Sequence, residues 1–129
     1  MLVAFATGSQ TCIDAHFGLA PAFAIYDVTA EAIVSKGMVY CPQEFASEAD
    51  KEDKVETRMQ ILHGCTVAYC TSIGGPAAAR LVQSGIHPLK VPEGTVIEDE
   101  LKRLQTLLAG SPPPWLRKRL QQEKRLKED

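Results

Sequence analysis

Residues 64–85 read GCTVAYCTSIGGPAAARLVQSG, and the order of signals in this stretch decides the fold. Thr66 to Cys70 is a short apolar run of strand character, and Thr71-Ser72-Ile73-Gly74-Gly75 turns the chain. Pro76 stands at a first helical position, Ala77 to Ser84 continues the helix, and Gly85 stops it. Ile86 to Val91 then supplies another strand, so a strand, a helix and a strand follow one another with short connections.

Upstream the pattern is different. Met1 to Ala6 is an apolar strand closed by the turn Thr7-Gly8-Ser9. Pro21 to Val28 is a second strand, with Phe23 and Ile25 facing one way and Tyr26 the other, and Ala32 to Tyr40 pairs with it as a hairpin across Thr29-Ala30-Glu31. After an acidic linker, Lys51 to His63 has helical spacing at Val55, Met59 and Leu62, and Gly64 ends it. Downstream, Thr95 can cap a helix whose Ile97, Leu101, Leu104 and Leu108 form one apolar stripe ending at Gly110. Ser111-Pro112-Pro113-Pro114 breaks the chain before a polar helix from Trp115 to Lys127.

The order is thus βββαβαβα plus a helical tail. It predicts an α/β fold with a mixed five-stranded sheet and helices on both faces, a domain over residues 1–110, and a Pro-rich break with a basic helical tail over 111–129. The fourth strand, reached by a crossover, is expected beside the first and parallel to it. Their border is a topological switch point, where open α/β sheets bind ligands beyond the strand C-termini.

Composition narrows the function. The chain has 129 residues, 45% hydrophobic and 23% charged, which suits one globular domain. A net charge of −2 argues against bulk attraction to nucleic acid or an anionic membrane, and no apolar run approaches the length of a membrane helix. Four cysteines without a leading export signal read as reduced thiols of a cytoplasmic protein. Charge is uneven: Arg117, Lys118, Arg119, Lys124, Arg125 and Lys127 concentrate in the tail, leaving the body at about −5 with an acidic stretch from Glu44 to Asp50. The tail reads either as a solvated helix or as a docking segment for an acidic partner.

Two loops meet at the predicted switch point. The first carries Cys12-Ile13-Asp14-Ala15-His16-Phe17-Gly18, and the second carries Cys70-Thr71-Ser72-Ile73-Gly74-Gly75 and opens a helix. One offers an imidazole and a thiol; the other offers backbone N–H groups and the positive end of a helix dipole. Such a set suits an anionic iron–sulfur ligand. Taken singly, a loop histidine such as His16 is more often a hydrogen-bonded structural or surface residue, and Gly74-Gly75 is more often simply a tight turn. The cysteines lack Cys-x-x-Cys spacing, so no zinc or thioredoxin-type site is indicated; Cys65 reads as a buried apolar residue, and Cys41 stands in a linker. His63 and His87 read as structural or surface residues. The central strands carry no acid for a two-metal nuclease, and no Walker loop, Gly-x-Ser-x-Gly elbow or His-Glu-x-x-His appears, which favours a binder over an enzyme.

Asp14-Ala15-His16-Phe17-Gly18 followed by Phe23-Ala24-Ile25-Tyr26 resembles the opening of the nitrogenase accessory proteins NifX, NifY, the NafY core and the C-terminal part of many NifB proteins. Gly64 to Cys70 leading to Ile73-Gly74, then Gly85 to Val91, continue the resemblance, and Pro112-Pro113-Pro114-Trp115-Leu116-Arg117-Lys118 closes it as in the NifX branch. The resemblance implies a ribonuclease-H-like fold without nuclease activity and a part in iron–molybdenum cofactor biosynthesis. It implies a carrier that takes an iron–sulfur–carbide precursor cluster from NifB to the NifEN scaffold. The alternative is a NifY- or NafY-like chaperone that grips apo-dinitrogenase or the finished cofactor. His16 corresponds to the family's proposed cluster ligand, with Phe17, Gly18, Cys70, Ser72, Gly74 and Gly75 around it; Cys70 and Cys12 are secondary candidates for the metal. Cys65 and Cys70 match family positions, whereas Cys12 lies outside the family motif. A phosphoryl-handling enzyme using the Gly74-Gly75 loop is the third reading.

Overall fold

A computed structural model describes residues 1–42 and 51–128, apart from the side chains of 51–53 and 123–128. The acidic stretch Glu44 to Asp50 and the side chains of Lys124, Arg125 and Lys127 lie outside the described residues. Among the described residues there are seven strands: β1 (Leu2–Thr7), β2 (Cys12–Ile13), β3 (Ala22–Val28), β4 (Ile33–Tyr40), β5 (Cys65–Cys70), β6 (His87–Lys90) and β7 (Thr95–Val96). The same residues form four α-helices, α1 (Lys51–Ile61), α2 (Gly75–Gln83), α3 (Ile97–Ala109) and α4 (Pro114–Glu128), and a 3₁₀ turn at Phe17–Leu19.

The main sheet has the order β4-β3-β1-β5-β6. β1 pairs antiparallel with β3 and parallel with β5, and β5 pairs parallel with β6. This is the ribonuclease-H-like arrangement expected for the five long strands, with the switch point between β1 and β5. The chain adds one thing the sequence reading did not expect. β2 and β7, two residues each, form a separate small sheet in segments taken for loop and helix cap. Thr95 accordingly does not cap α3; its hydroxyl donates to the Pro92 carbonyl at 2.6 Å, and Val96 holds the cap position without a side-chain bond.

Strand alternation divides the core into two layers. On one face Ala4, Ala6, Phe23, Ile25, Ala68 and Cys70 meet α1 and α2 through Val55, Met59, Leu62, Ala77 and Leu81. On the other, Val3, Phe5, Ala24, Val67 and Tyr69 meet Ile97, Leu101 and Leu104 of α3, with Trp115 of α4 packed at the margin. The second layer is aromatic: Phe5 stacks on Tyr69 at 4.8 Å between ring centroids and meets Tyr26 edge-on at 5.8 Å. Each large side chain buried here is worth roughly 1.5–3 kcal/mol. Gly64 and Gly85, at φ 89° and 83°, follow α1 and α2 in the left-handed conformation that side chains resist, which is why both helices stop there.

Candidate functional site

Because β1 and β5 run parallel, the loops that follow them leave the sheet at one edge, and backbone hydrogen bonds stitch the two together. The Thr71 N–H donates to the Ala15 carbonyl at 3.0 Å, and the Phe17 N–H donates to the Ser72 carbonyl at 2.9 Å. Asp14 braces the first loop by accepting from the Gly8 and Ser9 amides at 2.7 and 3.2 Å. Burial raises the Asp14 pKa, but hydrogen bonds from Gly8 and Ser9 outweigh it and hold the carboxyl below its ordinary value.

His16 opens the 3₁₀ turn. Its Nδ1 accepts the Gly18 N–H at 3.0 Å, and the ring lies against Gly18, where an added Cβ would stand 3.4 Å from the imidazole. Phe17 is buried and packs on Phe23 at 5.8 Å between centroids, which anchors the turn to the core. Beneath it lies Arg58 of α1, 2% exposed, donating to the Ala20 carbonyl at 2.7 Å and to the Lys54 carbonyl at 3.2 Å; its Nε has no partner. Burial lowers the Arg58 pKa and the neighbouring Cys41 thiol opposes that shift; burial raises Cys41 and Arg58 pulls it back.

Between the turn, α1 and α2 opens a cleft of about 480 Å³. His16, Phe17, Gly18 and Leu19 form one wall, Lys54 and Val55 a second, and Gly74, Pro76, Ala77 and Arg80 a third. The walls are mostly apolar, the charged lining residues are both cations, and no carboxylate lines the cleft among the described residues. Arg80 pairs with Glu56 of α1, tying the two helices. No side chain caps α2, so its first-turn amides and dipole are available at the cleft. Gly74 has an ordinary φ of −68°, and a Cβ at Gly74 or Gly75 would meet nothing within 4 Å. The turn does not require these glycines; their effect is to leave the backbone open to approach. An anion with a soft or borderline metal face matches such a lining, the imidazole meeting the metal and the cations the charge.

The family model for the dinitrogenase iron–molybdenum cofactor domain matches residues 1–107. The chain belongs to this family. It is 40% identical over 125 residues to the NifX protein of Sinorhizobium fredii, covering 93% of this chain and 78% of that one. It is 37% identical over 120 residues to the NifY protein of Klebsiella pneumoniae, covering 93% of this chain but 51% of the longer NifY. The crystal structure of PH0822 shares the fold at a TM-score of 0.63 and 20% identity, covering 89% of this chain and 98% of that one. Membership makes this a NifX-type accessory protein of nitrogen fixation, acting in iron–molybdenum cofactor biosynthesis.

In this member of the cofactor family His16, Phe17, Gly18 and Gly74 line the cleft, while Ser72 in the adjoining loop and Gly75 at the start of α2 stand exposed outside its lining. Cys70 does not line it: the side chain is 1% exposed within the core, and burial pushes its thiol up to about 11, as it does for Cys65. Cys12 sits in β2, paired opposite Val96 and away from the cleft lining. Among the described residues no three His, Cys, Asp or Glu side chains converge as a metal cage. Leu19, Lys54, Val55, Pro76, Ala77 and Arg80 are lining residues that the sequence reading missed. A signal existed for α2, since Arg80 lies three residues from Ala77 and four from Pro76, the spacings that share a helix face. Nothing local marks Lys54 or Leu19. No helix among the described residues is long and apolar enough to cross a membrane.

Proposed function

We propose that the chain is a carrier rather than an enzyme, holding an iron–sulfur–carbide precursor of the iron–molybdenum cofactor in this cleft between its release by NifB and its arrival at the NifEN scaffold. The observation that carries the reading is the lining itself: one imidazole, two cations, an uncapped helix N-terminus and, among the described residues, no carboxylate around about 480 Å³. His16 is the metal ligand in this proposal, Lys54 and Arg80 offset the cluster's negative charge, and the Gly74-Gly75 backbone lies against it. One protein ligand suits transient holding, because release then breaks one coordinate bond and a set of weak contacts. Cys70 is a poor thiolate donor as placed, being protonated and buried.

His16 gives this proposal a mechanism for loading. With Nδ1 accepting from Gly18, a neutral ring carries its proton on Nε2, so coordination through Nε2 would require that proton to move to Nδ1, which could then no longer accept the Gly18 N–H, and the cap would open. The ligand is therefore braced in the free protein and released from its brace when the cluster arrives.

The similarity to NifY supports a second reading, a chaperone for apo-dinitrogenase or the finished cofactor using the same cleft. Anaerobic incubation with isolated precursor cluster, then gel filtration with iron analysis, tests the first. Iron should co-elute with the wild type and be lost from His16→Ala. Iron held equally by both overturns the role of His16. Iron absent from both, with apo-dinitrogenase captured, replaces the carrier by the chaperone. Loss of the small 3₁₀ cap costs about 1 kcal/mol, so the variant folds.

A further inference from the structure

A second concavity of about 190 Å³ lies at the C-terminal end of α2, where α4 meets the start of β6. Its apolar surface comes from Val82, which is 61% exposed, from Ile86, and from Trp115, whose ring stacks on His87 at 3.9 Å and 11°. Its charges come from Lys118 and Arg119, and no carboxylate lines it among the described residues. Arg119 is held in place, donating to the Gly85 carbonyl and to the Gln122 Oε1 at 3.2 Å, which leaves further guanidinium N–H groups for a ligand. Exposed Arg117 lies on the same helix and is fixed by the Pro112 carbonyl at 3.0 Å. Burial, with Arg119 beside it, lowers the His87 pKa, so the stacked ring is neutral at pH 7 and serves as an aromatic surface.

Two features give this groove an occupant. It is cationic, with Lys118 and Arg119 and no carboxylate in its lining among the described residues, so it complements an acidic surface. It also lies at the opposite end of α2 from the cargo cleft: Gly74, Ala77 and Arg80 face the cleft, and Val82 and Gly85 line the groove. Ala77 in the cleft and Val82 in the groove stand five residues, or about 7.5 Å, apart along the helix axis.

We infer that the groove between α2 and α4 docks an acidic peptide segment of a partner protein, with an aliphatic side chain of that segment on Val82 and Trp115 and its carboxylates on Lys118 and Arg119. The inference does not rest on the role of His16 or on any cluster.

Trp115 is the chain's one tryptophan, so its emission reports on the groove directly. The full chain is titrated with a synthetic decapeptide of alternating Asp and Glu around a central Leu-Leu pair, at 50 and 500 mM NaCl. Two control peptides replace the acids by Asn and Gln, or the leucines by Ser. Saturable change in Trp115 emission is expected with the acidic leucine peptide, weakened at least tenfold by high salt and by Lys118→Glu. Val82→Ser or removal of the leucines should weaken it at least threefold. Circular dichroism checks that both variants, each at an exposed position, stay folded. No saturable change, equal binding of the Asn/Gln peptide, or equal binding by Lys118→Glu would overturn the inference. Equal displacement by millimolar sulfate would reduce the groove to a simple anion site and overturn it as well.

Discussion

Arg58→Met tests how the cleft between the 3₁₀ turn, α1 and α2 is held together. The guanidinium is 2% exposed, and its 2.7 Å bond to the Ala20 carbonyl joins α1 to the segment just past the Phe17–Leu19 turn, across 38 positions of sequence. Methionine keeps the apolar stem and removes the charged head. The Ala20 carbonyl, on a residue 0% exposed, then loses a charge-assisted partner, a change worth about 1.5–3 kcal/mol. The Lys54 carbonyl is one helical turn before Arg58 and retains its place in the α1 ladder, so it adds little. Against this stands relief from burying a cation whose Nε is unpaired, which returns part of the loss. The net expectation is a loss of about 2 kcal/mol, or roughly thirtyfold in the folded-to-unfolded ratio. Urea titration followed by far-ultraviolet circular dichroism reads this as a lower midpoint at unchanged slope. Arg58→Lys, which keeps the charge and reaches fewer acceptors, should fall between the two. In conditions where Arg58→Met is still fully folded, it should retain less iron than wild type, because the turn bearing His16 is no longer pinned. A midpoint equal to or above that of wild type would refute the reasoning, since the guanidinium would then be a net burden and the Ala20 carbonyl would be satisfied without it.

Three further outcomes are expected. In cargo-free protein, long-range ¹H–¹⁵N spectra of labelled histidine should place the neutral His16 proton on Nε2; a proton on Nδ1 would contradict the Gly18 cap. At pH 8 in native buffer, a disulfide-exchange reagent should modify Cys12 first, while Cys65 and Cys70, with thiols pushed up to about 11 by burial, react only on unfolding; rapid labelling of all four would contradict the packing. Asp14 has a folded pKa below its ordinary 3.8, so its contribution is present above that value and lost as pH falls through the folded one; Asp14→Asn should therefore be less stable than wild type at pH 7, with the gap closing below pH 3.8 in acid-dependent urea titrations.

The sheet was legible because its signals are local and consistent. Alternation in Pro21 to Val28 put Phe23 and Ile25 on one face, and both lie in the layer with α1 and α2. The stripe Ile97, Leu101, Leu104 is the stripe that packs on the other face, and Gly64 and Gly85 stop helices where their left-handed conformation demands it. The small β2–β7 sheet was not legible, because two-residue strands have no period to detect and their pairing joins positions more than eighty apart in sequence. Six of the ten cleft residues were missed because they too are joined only by long-range packing. His16 and Gly74 were reachable from topology, since parallel β1 and β5 must deliver their loops to one edge. Lys54 and Leu19 reach the cleft only because α1 crosses beneath the turn, a packing relation that no spacing encodes.

Arg58 sharpens the point. On sequence alone it is one cation in the polar run Lys51-Glu52-Asp53-Lys54-Val55-Glu56-Thr57-Arg58, where a solvated position is the ordinary expectation. Its burial is decided by Ala20, whose carbonyl faces α1 after the turn and needs a donor that no backbone group supplies in the bonds around it. A long cation meets that need from a neighbouring helix, and an alanine or leucine at 58 would leave the carbonyl dry. The order of this edge thus owes something to a residue outside every motif, because the α1 guanidinium ties the segment that follows the 3₁₀ turn to α1.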